Sequence, residues 1–224
     1  MKIAEVFYSV QGEGKLVGVP SVFVRTSGCN LRCGWCDTPY TSWAPEGTQR
    51  TVESLLAEVK AFGARHVVVT GGEPMIAPDV VLLTNALRAA GMHITVETAG
   101  TVFAPVVCDL MSISPKLSNS TPADSQWGPV HERTRLQPDV LGKLLAEYAY
   151  QLKFVVADPS DLGEILELVE RLRAPAENVL LMPEGRSAAV LRERAAWLVP
   201  LCLGYGFRYS PRVHVDIWGD KRGV

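Results

Sequence analysis

Cys29, Cys33 and Cys36 stand in the stretch TSGCNLRCGWCDTPY, residues 26 to 40, of a chain with five cysteines among its 224 residues. The spacing Cys-x-x-x-Cys-x-x-Cys puts three sulfurs on one short loop and supplies no fourth. Thiolates in this density point to metal or redox chemistry, and an odd cysteine count without an export signal argues against a disulfide framework. A structural zinc site takes four protein ligands. His66, His93, His131 and His214 all lie far from the loop in sequence, so zinc stays open but nothing indicates it. Three thiolates can instead hold an iron–sulfur cube and leave its fourth iron free, and an open coordination position marks a catalytic metal site. Cys108 and Cys202, in apolar surroundings, read as core residues.

Such a loop needs a rigid support, and the rest of the chain reads as alternating strands and helices. SVFVRT (21–26), HVVVTG (66–71), HITVET (93–98), DLMSIS (109–114), QLKFVV (151–156) and NVLLMP (178–183) are short apolar runs that predict buried strands. In TVESLLAEVKAFG, Val52, Leu55, Leu56, Val59 and Phe62 share one helical face, with Thr51 as N-cap and Gly63 as the stop. PDVVLLTNALRAAG, SDLGEILELVERL and SAAVLRERAAWLVPL repeat the plan, and Pro200 is expected to end or kink the last. Repeated strand–helix–strand units imply an α/β fold, a mostly parallel sheet covered by helices, open or curled as a partial barrel. The segment from Lys116 to about Gln137 shows no clear element, and loops that long are usually functional or mobile.

TSGC, TGGEP, ETAGT, SPK and MPEG all fall at the C-terminal ends of these strands. Parallel sheets and barrels keep their active sites there, so one face should collect every motif. With 47% hydrophobic and 21% charged residues the chain can bury one substantial core, and residues 1–224 are expected to form a single domain. A net charge of -2 gives no overall basic field for nucleic acid or an anionic membrane. MKIAEVFYSV lacks a secretory apolar core, and no apolar run approaches the roughly 18 residues that span a bilayer. These features read as a cytoplasmic protein with neither nucleic-acid nor membrane partners.

With Trp35 before the last cysteine and GGEP downstream, the loop resembles the signature of the radical S-adenosylmethionine (SAM) superfamily. The resemblance implies a 4Fe-4S cluster on Cys29, Cys33 and Cys36 whose open iron chelates SAM, and an electron that cleaves SAM to a 5'-deoxyadenosyl radical. It also implies an electron donor such as flavodoxin or ferredoxin. The protein's part is then positioning and shielding. Gly71 and Gly72 let the backbone approach a ligand, and Glu73 is expected to accept a hydrogen bond from an ammonium.

The likeness narrows over nearly the whole chain. VFYSVQGEGKLVGVPSVFVRTSGCNLRCGWCDT, ETAGT, SPK and the ending HVDIWGDKRGV resemble the 7-carboxy-7-deazaguanine synthase family. Its members are radical SAM lyases with an incomplete radical-SAM β/α barrel, usually homodimers, that use Mg2+ besides the cluster and SAM. They convert 6-carboxy-5,6,7,8-tetrahydropterin to 7-carboxy-7-deazaguanine with loss of ammonia, in queuosine and 7-deazapurine biosynthesis. By this resemblance Val10, Gln11, Gly12, Glu13, Arg25 and Thr98 bind the substrate, and Thr38 contacts Mg2+. Trp35, Cys36, Asp37, Gly100, Ser114, Pro115 and Lys116 match SAM-binding positions. The resemblance further implies that the chain end folds back over the site, bringing His214 and the carboxylate of Val224 to the pterin, and Trp218 is expected to serve as an apolar anchor.

Some of these readings stay double. Arg25, late in an apolar strand, needs an anionic partner, either the substrate carboxylate or a structural ion pair. Lys153 in QLKFVV is either a ligand-facing cation or a snorkelling strand-end lysine. Ala99 replaces a common polar residue, and Met182 stands where a glutamine often precedes the proline, which leaves a SAM contact at Met182 to Glu184 open. Two alternatives share the three cysteines. A glycyl-radical activating enzyme would leave QGEG and the tail unexplained, and a non-catalytic metal or redox-binding module stays open, to be separated by metal analysis after anaerobic purification.

Overall fold

The structure, a computed structural model, describes residues 1–123 and 126–224. Among the described residues nine strands form one sheet: β1 (Lys2–Val10), β2 (Pro20–Thr26), β3 (Thr48–Gln49), β4 (His66–Gly71), β5 (His93–Thr98), β6 (Leu110–Ile113), β7 (Tyr150–Val156), β8 (Val179–Pro183) and β9 (Arg208–Tyr209). Their spatial order is β3-β1-β2-β4-β5-β6-β7-β8-β9. From β2 through β9 neighbouring strands run parallel, while β1 is antiparallel to both β2 and β3. The sheet does not close, and β3 and β9 are its edges. This is the expected mostly parallel, incomplete barrel.

The helices are α1 (Pro39–Ser42), α2 (Val52–Ala61), α3 (Val80–Ala89), α4 (Gly128–Thr134), α5 (Pro138–Glu147), α6 (Leu162–Leu172), α7 (Ala188–Tyr205) and α8 (Val213–Trp218). Strand alternation decides which face meets them. Val22, Val24, Val67, Val69, Ile94, Val96, Met111, Ile113, Leu152 and Phe154 point one way into the main core, with Leu55 and Val59 of α2, Leu83 and Leu87 of α3, and Leu141 and Leu144 of α5. Residues between them on the same strands, among them Arg25, Thr70, Glu97, Ser112 and Lys153, point the other way and line a cavity. One face of the sheet is therefore apolar and covered, and the other is polar and available. No helix among the described residues is long and apolar enough to cross a membrane.

All six expected strands are present within a residue or two of their expected ends. Thr51 caps α2 as expected, its Oγ1 accepting from the Ser54 amide at 3.2 Å. Four features differ. First, β1, β3 and β9 were not expected. Second, α7 runs through Pro200 to Tyr205 and stops at Gly206. Pro200 and Ala196, whose carbonyl loses its partner, are both exposed, so water can take up that carbonyl while Leu198 and Cys202 hold the helix to the core. Third, the segment 116–137 contains α4 and a short 3-10 turn at Ser118–Ser120; its residues 124 and 125 lie outside those described. Fourth, the tail is anchored by Val215, 4% exposed, more than by Trp218, 39% exposed.

Candidate active site

A cavity of about 460 Å³ opens at the C-terminal ends of the parallel strands. Cys29, Cys33 and Cys36 line it and pack around Leu31 and Ala99. The loop is bound closely to the turn after β4. Gly72 donates to the Thr26 carbonyl at 3.2 Å and Glu73 to the Gly28 carbonyl at 2.9 Å. A Cβ on Gly72 would stand 2.1 Å from the Gly28 oxygen, so only glycine permits this approach. Leu31 N–H donates to Cys29 Sγ at 3.3 Å, and the Ser42 hydroxyl lies 3.3 Å from Cys36 Sγ.

The donor set suits a cluster. Burial pushes the Cys29 thiol up to about 11 and the Cys33 thiol up to about 12, so both are protonated until a bound iron displaces the proton. Among the described residues no three His, Cys, Asp or Glu side chains converge to hold a single ion. An iron–sulfur cube asks for less convergence, because each thiolate binds a different iron. Lys116 lies beside the loop, 5.8 Å from the Trp35 ring and 2.9 Å from both the carbonyl and hydroxyl of Ser114.

Across the cavity lies a buried charge network. Glu13 pairs with Lys153 through one oxygen and with Arg212 Nε at 3.0 Å through the other. Arg212, 7% exposed, also donates to Asp37 Oδ2 at 2.5 Å and to the Gly185 carbonyl at 2.6 Å. Burial alone would raise the Glu13 carboxyl, but the Lys153 and Arg212 cations outweigh it and hold it far below the usual carboxylate range. His214 Nε2 is 3.9 Å from Glu13, and burial lowers its pKa, which keeps the ring neutral. Its ring lies against Gly12, where a Cβ would stand 2.0 Å from Nδ1. Gln11 is fixed at both ends, donating to Glu97 at 3.1 Å and accepting from the Glu13 amide at 3.1 Å.

Most residues expected from sequence meet here. Val10, Gln11, Gly12, Glu13, Arg25, Trp35, Asp37, Thr38, Gly71, Gly72, Thr98, Ser114, Lys116, His214 and Val224 all line the cavity with the three cysteines. Met182, Glu184 and Lys153 line it too, so Lys153 is a cavity-facing cation rather than a snorkelling one. Glu73, Gly100 and Pro115 do not line it. Glu73 is fully buried, and its carboxylate accepts from Thr98 Oγ1 at 2.7 Å, Ala99 N at 2.9 Å and Met75 N at 3.1 Å. The expected acceptor for an ammonium is thus occupied in holding two strand ends together. Arg25 is already paired, its Nε 2.6 Å from Glu5, which also accepts from the Tyr40 hydroxyl at 2.8 Å. Thr38 caps no amide of its helix, and among the described residues its Oγ1 makes only longer contacts, 3.4 Å to Thr41 Oγ1 and 3.9 Å to Cys36 Sγ.

Arg212, Glu5 and Glu97 were missed. Glu97 could have been found, since it interrupts the apolar strand HITVET just as Arg25 interrupts SVFVRT.

A three-cysteine loop at the strand ends of an open, mostly parallel barrel defines a radical SAM enzyme, and the radical SAM superfamily model matches residues 23–116. The chain belongs to the 7-carboxy-7-deazaguanine synthase family. It is 47% identical to the 7-carboxy-7-deazaguanine synthase of Halobacterium salinarum, over 98% of this chain and 91% of that one. It is 48% identical to that of Rhodopirellula baltica, over 99% and 88%. The crystal structure of QueE from Escherichia coli superposes with a TM-score of 0.72 at 27% identity, covering 95% of this chain and 94% of that one. Its cofactors are therefore a 4Fe-4S cluster and SAM. Matches of this length set aside both the glycyl-radical activating enzyme and the non-catalytic module.

Proposed function

We propose that the cavity divides into a cluster-and-SAM half and a pterin half, and that the residues named above serve them. The enzyme makes 7-carboxy-7-deazaguanine from 6-carboxy-5,6,7,8-tetrahydropterin with loss of ammonia. Cys29, Cys33 and Cys36 hold the cluster, which with SAM supplies the radical when bound. Trp35, Asp37, Gly71, Gly72, Ser114 and Lys116 form the SAM half, where Lys116 can meet a carboxylate. Gly100 and Pro115 shape its wall from behind.

Glu13, held ionised, can only accept hydrogen bonds, which fits the amino and ring N–H edge of a pterin and excludes it as a proton donor. Arg25 uses its Nε on Glu5 and turns toward the cavity, where its remaining N–H groups suit the substrate carboxylate. Val10, Gln11, Gly12, Thr98, neutral His214 and the Val224 chain end complete the pocket. Thr38 contacts a hydrated Mg2+ beside the substrate, a reading supported by the long contacts of its hydroxyl, 3.4 Å to Thr41 Oγ1 and 3.9 Å to Cys36 Sγ. The enzyme works in the cytoplasm as a homodimer, reduced by a flavodoxin or ferredoxin.

The observation that carries this reading is that one cavity gathers the cysteine loop and the Glu13–Lys153–Arg212 network. The test is anaerobic incubation of the reconstituted protein with SAM, a reductant, Mg2+ and the carboxypterin, read by mass spectrometry. Carboxydeazaguanine should form, with one equivalent of SAM supporting several turnovers. Product accompanied by stoichiometric 5'-deoxyadenosine would contradict the catalytic use of SAM, and no product would sink the substrate assignment.

A further inference from the structure

Three donors of the cysteine loop are taken up by a single neighbouring segment. Arg32 N–H donates to His131 Nδ1 at 3.1 Å, Gly34 N–H to the Ser120 carbonyl at 2.8 Å, and Trp35 Nε1–H to the Asn119 carbonyl at 3.0 Å. His131 comes from α4, in the stretch whose sequence shows no clear element, and is 2% exposed. Because Nδ1 accepts, the ring proton lies on Nε2. That nitrogen stands 2.9 Å from Ser120 Oγ, whose own hydroxyl donates to the Leu117 carbonyl at 2.6 Å.

A line of hydrogen bonds therefore runs from the peptide between Leu31 and Arg32, through a buried imidazole, to the backbone after β6. The same turn is held on its other side by the Arg32 guanidinium, which donates to the Cys29 and Leu31 carbonyls at 2.8 Å and lies 4.8 Å from the Trp127 ring centroid. A leucine would fill the space of His131 without the cost of burying two polar nitrogens. Both nitrogens are used, and one is used on the ligand loop.

We propose that His131 is a positioning residue for the cluster, setting the turn between Cys29 and Cys33 from outside so that the thiols are gathered before iron arrives. This rests on the three cysteines being the cluster ligands. Hydrogen-bond partners behind metal ligands commonly change metal affinity by roughly 10- to 100-fold when removed, and the same scale is expected for retention of iron here.

The test uses the full chain, reconstituted anaerobically, as wild type, His131→Phe, His131→Asn and Ser120→Ala. Iron and sulfide per chain, the rate of iron loss to a ferrous chelator, the EPR spectrum of the reduced cluster and the melting of the iron-free protein are measured. His131→Phe should lose iron roughly 10- to 100-fold faster than wild type and give a broadened EPR signal. His131→Asn keeps an acceptor where Nδ1 stood and should recover most of the retention, with Ser120→Ala between them. Melting of the iron-free Asn variant should match wild type.

Wild-type iron loss and EPR in the Phe variant would overturn the proposal, as would equal losses in the Phe and Asn variants, which would make His131 a packing residue only. If the Phe variant does not fold, Ser120→Ala decides, and wild-type iron loss there would overturn it. A wild-type protein that takes up no cluster would overturn the ligand assignment and this proposal together.

Discussion

Glu13 reaches the cavity with both carboxylate oxygens already accepting, from Lys153 and from Arg212, so Glu13→Gln would strip buried Lys153 of its ion-pair partner and leave Arg212 with Asp37. Breaking a buried pair by removing one partner costs roughly 3–5 kcal/mol. Urea unfolding of the variant should show a loss of that order, and Glu13→Gln with Lys153→Met should recover part of it. The cysteines give a sharper division. Alanine at Cys29, Cys33 or Cys36 should abolish SAM cleavage, while Cys108→Ala and Cys202→Ala, in or against the core, should leave it. Retained cleavage in Cys33→Ala would refute the ligand set. At this scale sequence reading reached the residues that carry an unusual type or a family motif: the cysteines, Glu13, Arg25, Lys153 and His214. It missed the residues that hold those in place. Arg212 lies just before the tail motif, and nothing local says that it will reach Asp37 and Glu13, 175 and 199 residues away along the chain. Glu73 is expected from GGEP to meet a ligand, and no local pattern announces that its carboxylate accepts from Thr98 and Ala99, 25 and 26 residues later.

Two strand ends meet at Gly72, and the consequence is testable. An added Cβ would meet the backbone oxygen of Gly28 at 2.1 Å and Cys29 Cβ at 2.9 Å, and a backbone oxygen cannot swing aside as a side chain tip can. Gly72→Ala should therefore push the cysteine loop off the turn after β4, costing about 1–3 kcal/mol and lowering iron per chain, measured by melting and iron assay. At the opposite ends of the strands, His66 and His93 are register partners on β4 and β5 with ring centroids 4.5 Å apart, and the Nδ1 of each is buried with no hydrogen-bond partner among the described residues. Burial, and then the neighbouring His93, lowers the His66 pKa below its ordinary 6.5. The unfolded chain then binds the proton more readily than the folded one, so this contribution to stability is present above the ordinary histidine value and is lost as pH falls below it. Melting temperature should drop on acidification through that range, and His66→Phe should flatten the drop. The six central strands were legible because each is a run of apolar residues ended by a turn. The runs predict buried strands, but not that Arg25, Thr70, Glu97, Ser112 and Lys153 would make one face of the sheet a polar cavity wall. β1 was not read as a strand because its side chains are mostly half-buried, and β9, two residues long, is too short for any pattern.

The order of the sheet gives the tail its work. β9 and β1 lie toward opposite edges, yet the chain leaving β9 turns through α8 and returns to β1 across the mouth of the cavity. Val213 N–H donates to the Gly12 carbonyl at 3.0 Å, Asp220 pairs with Arg186 at 2.6 Å, and Arg222 pairs with Glu5 at 3.1 Å and Glu46 at 2.9 Å while its guanidinium lies 3.8 Å from the Tyr40 ring centroid. Residues 219–224 line the cavity throughout. An open barrel is thus strapped from one side to the other by its own last residues, and the strap ends on Glu5, the carboxylate that orients Arg25. Exposed ion pairs of this kind are individually worth about 0–1 kcal/mol, so the strap holds through several contacts and not through one. Arg222→Ala should leave the fold and the iron content unchanged, because its partners, Glu5, Glu46 and the Tyr40 ring, include no cluster ligand and no member of the main core. It should weaken carboxypterin binding and raise the amount of SAM consumed per product, since water gains access and Glu5 loses a partner. Removing Gly223 and Val224 goes further, taking away cavity wall itself. If one charge-assisted contact to the pterin goes with them, affinity should fall by roughly 1.5–3 kcal/mol, about ten- to a hundredfold. Binding titrations with and without SAM read the loss directly, and a truncated protein with full affinity would show that the strap closes the cavity without touching what lies inside.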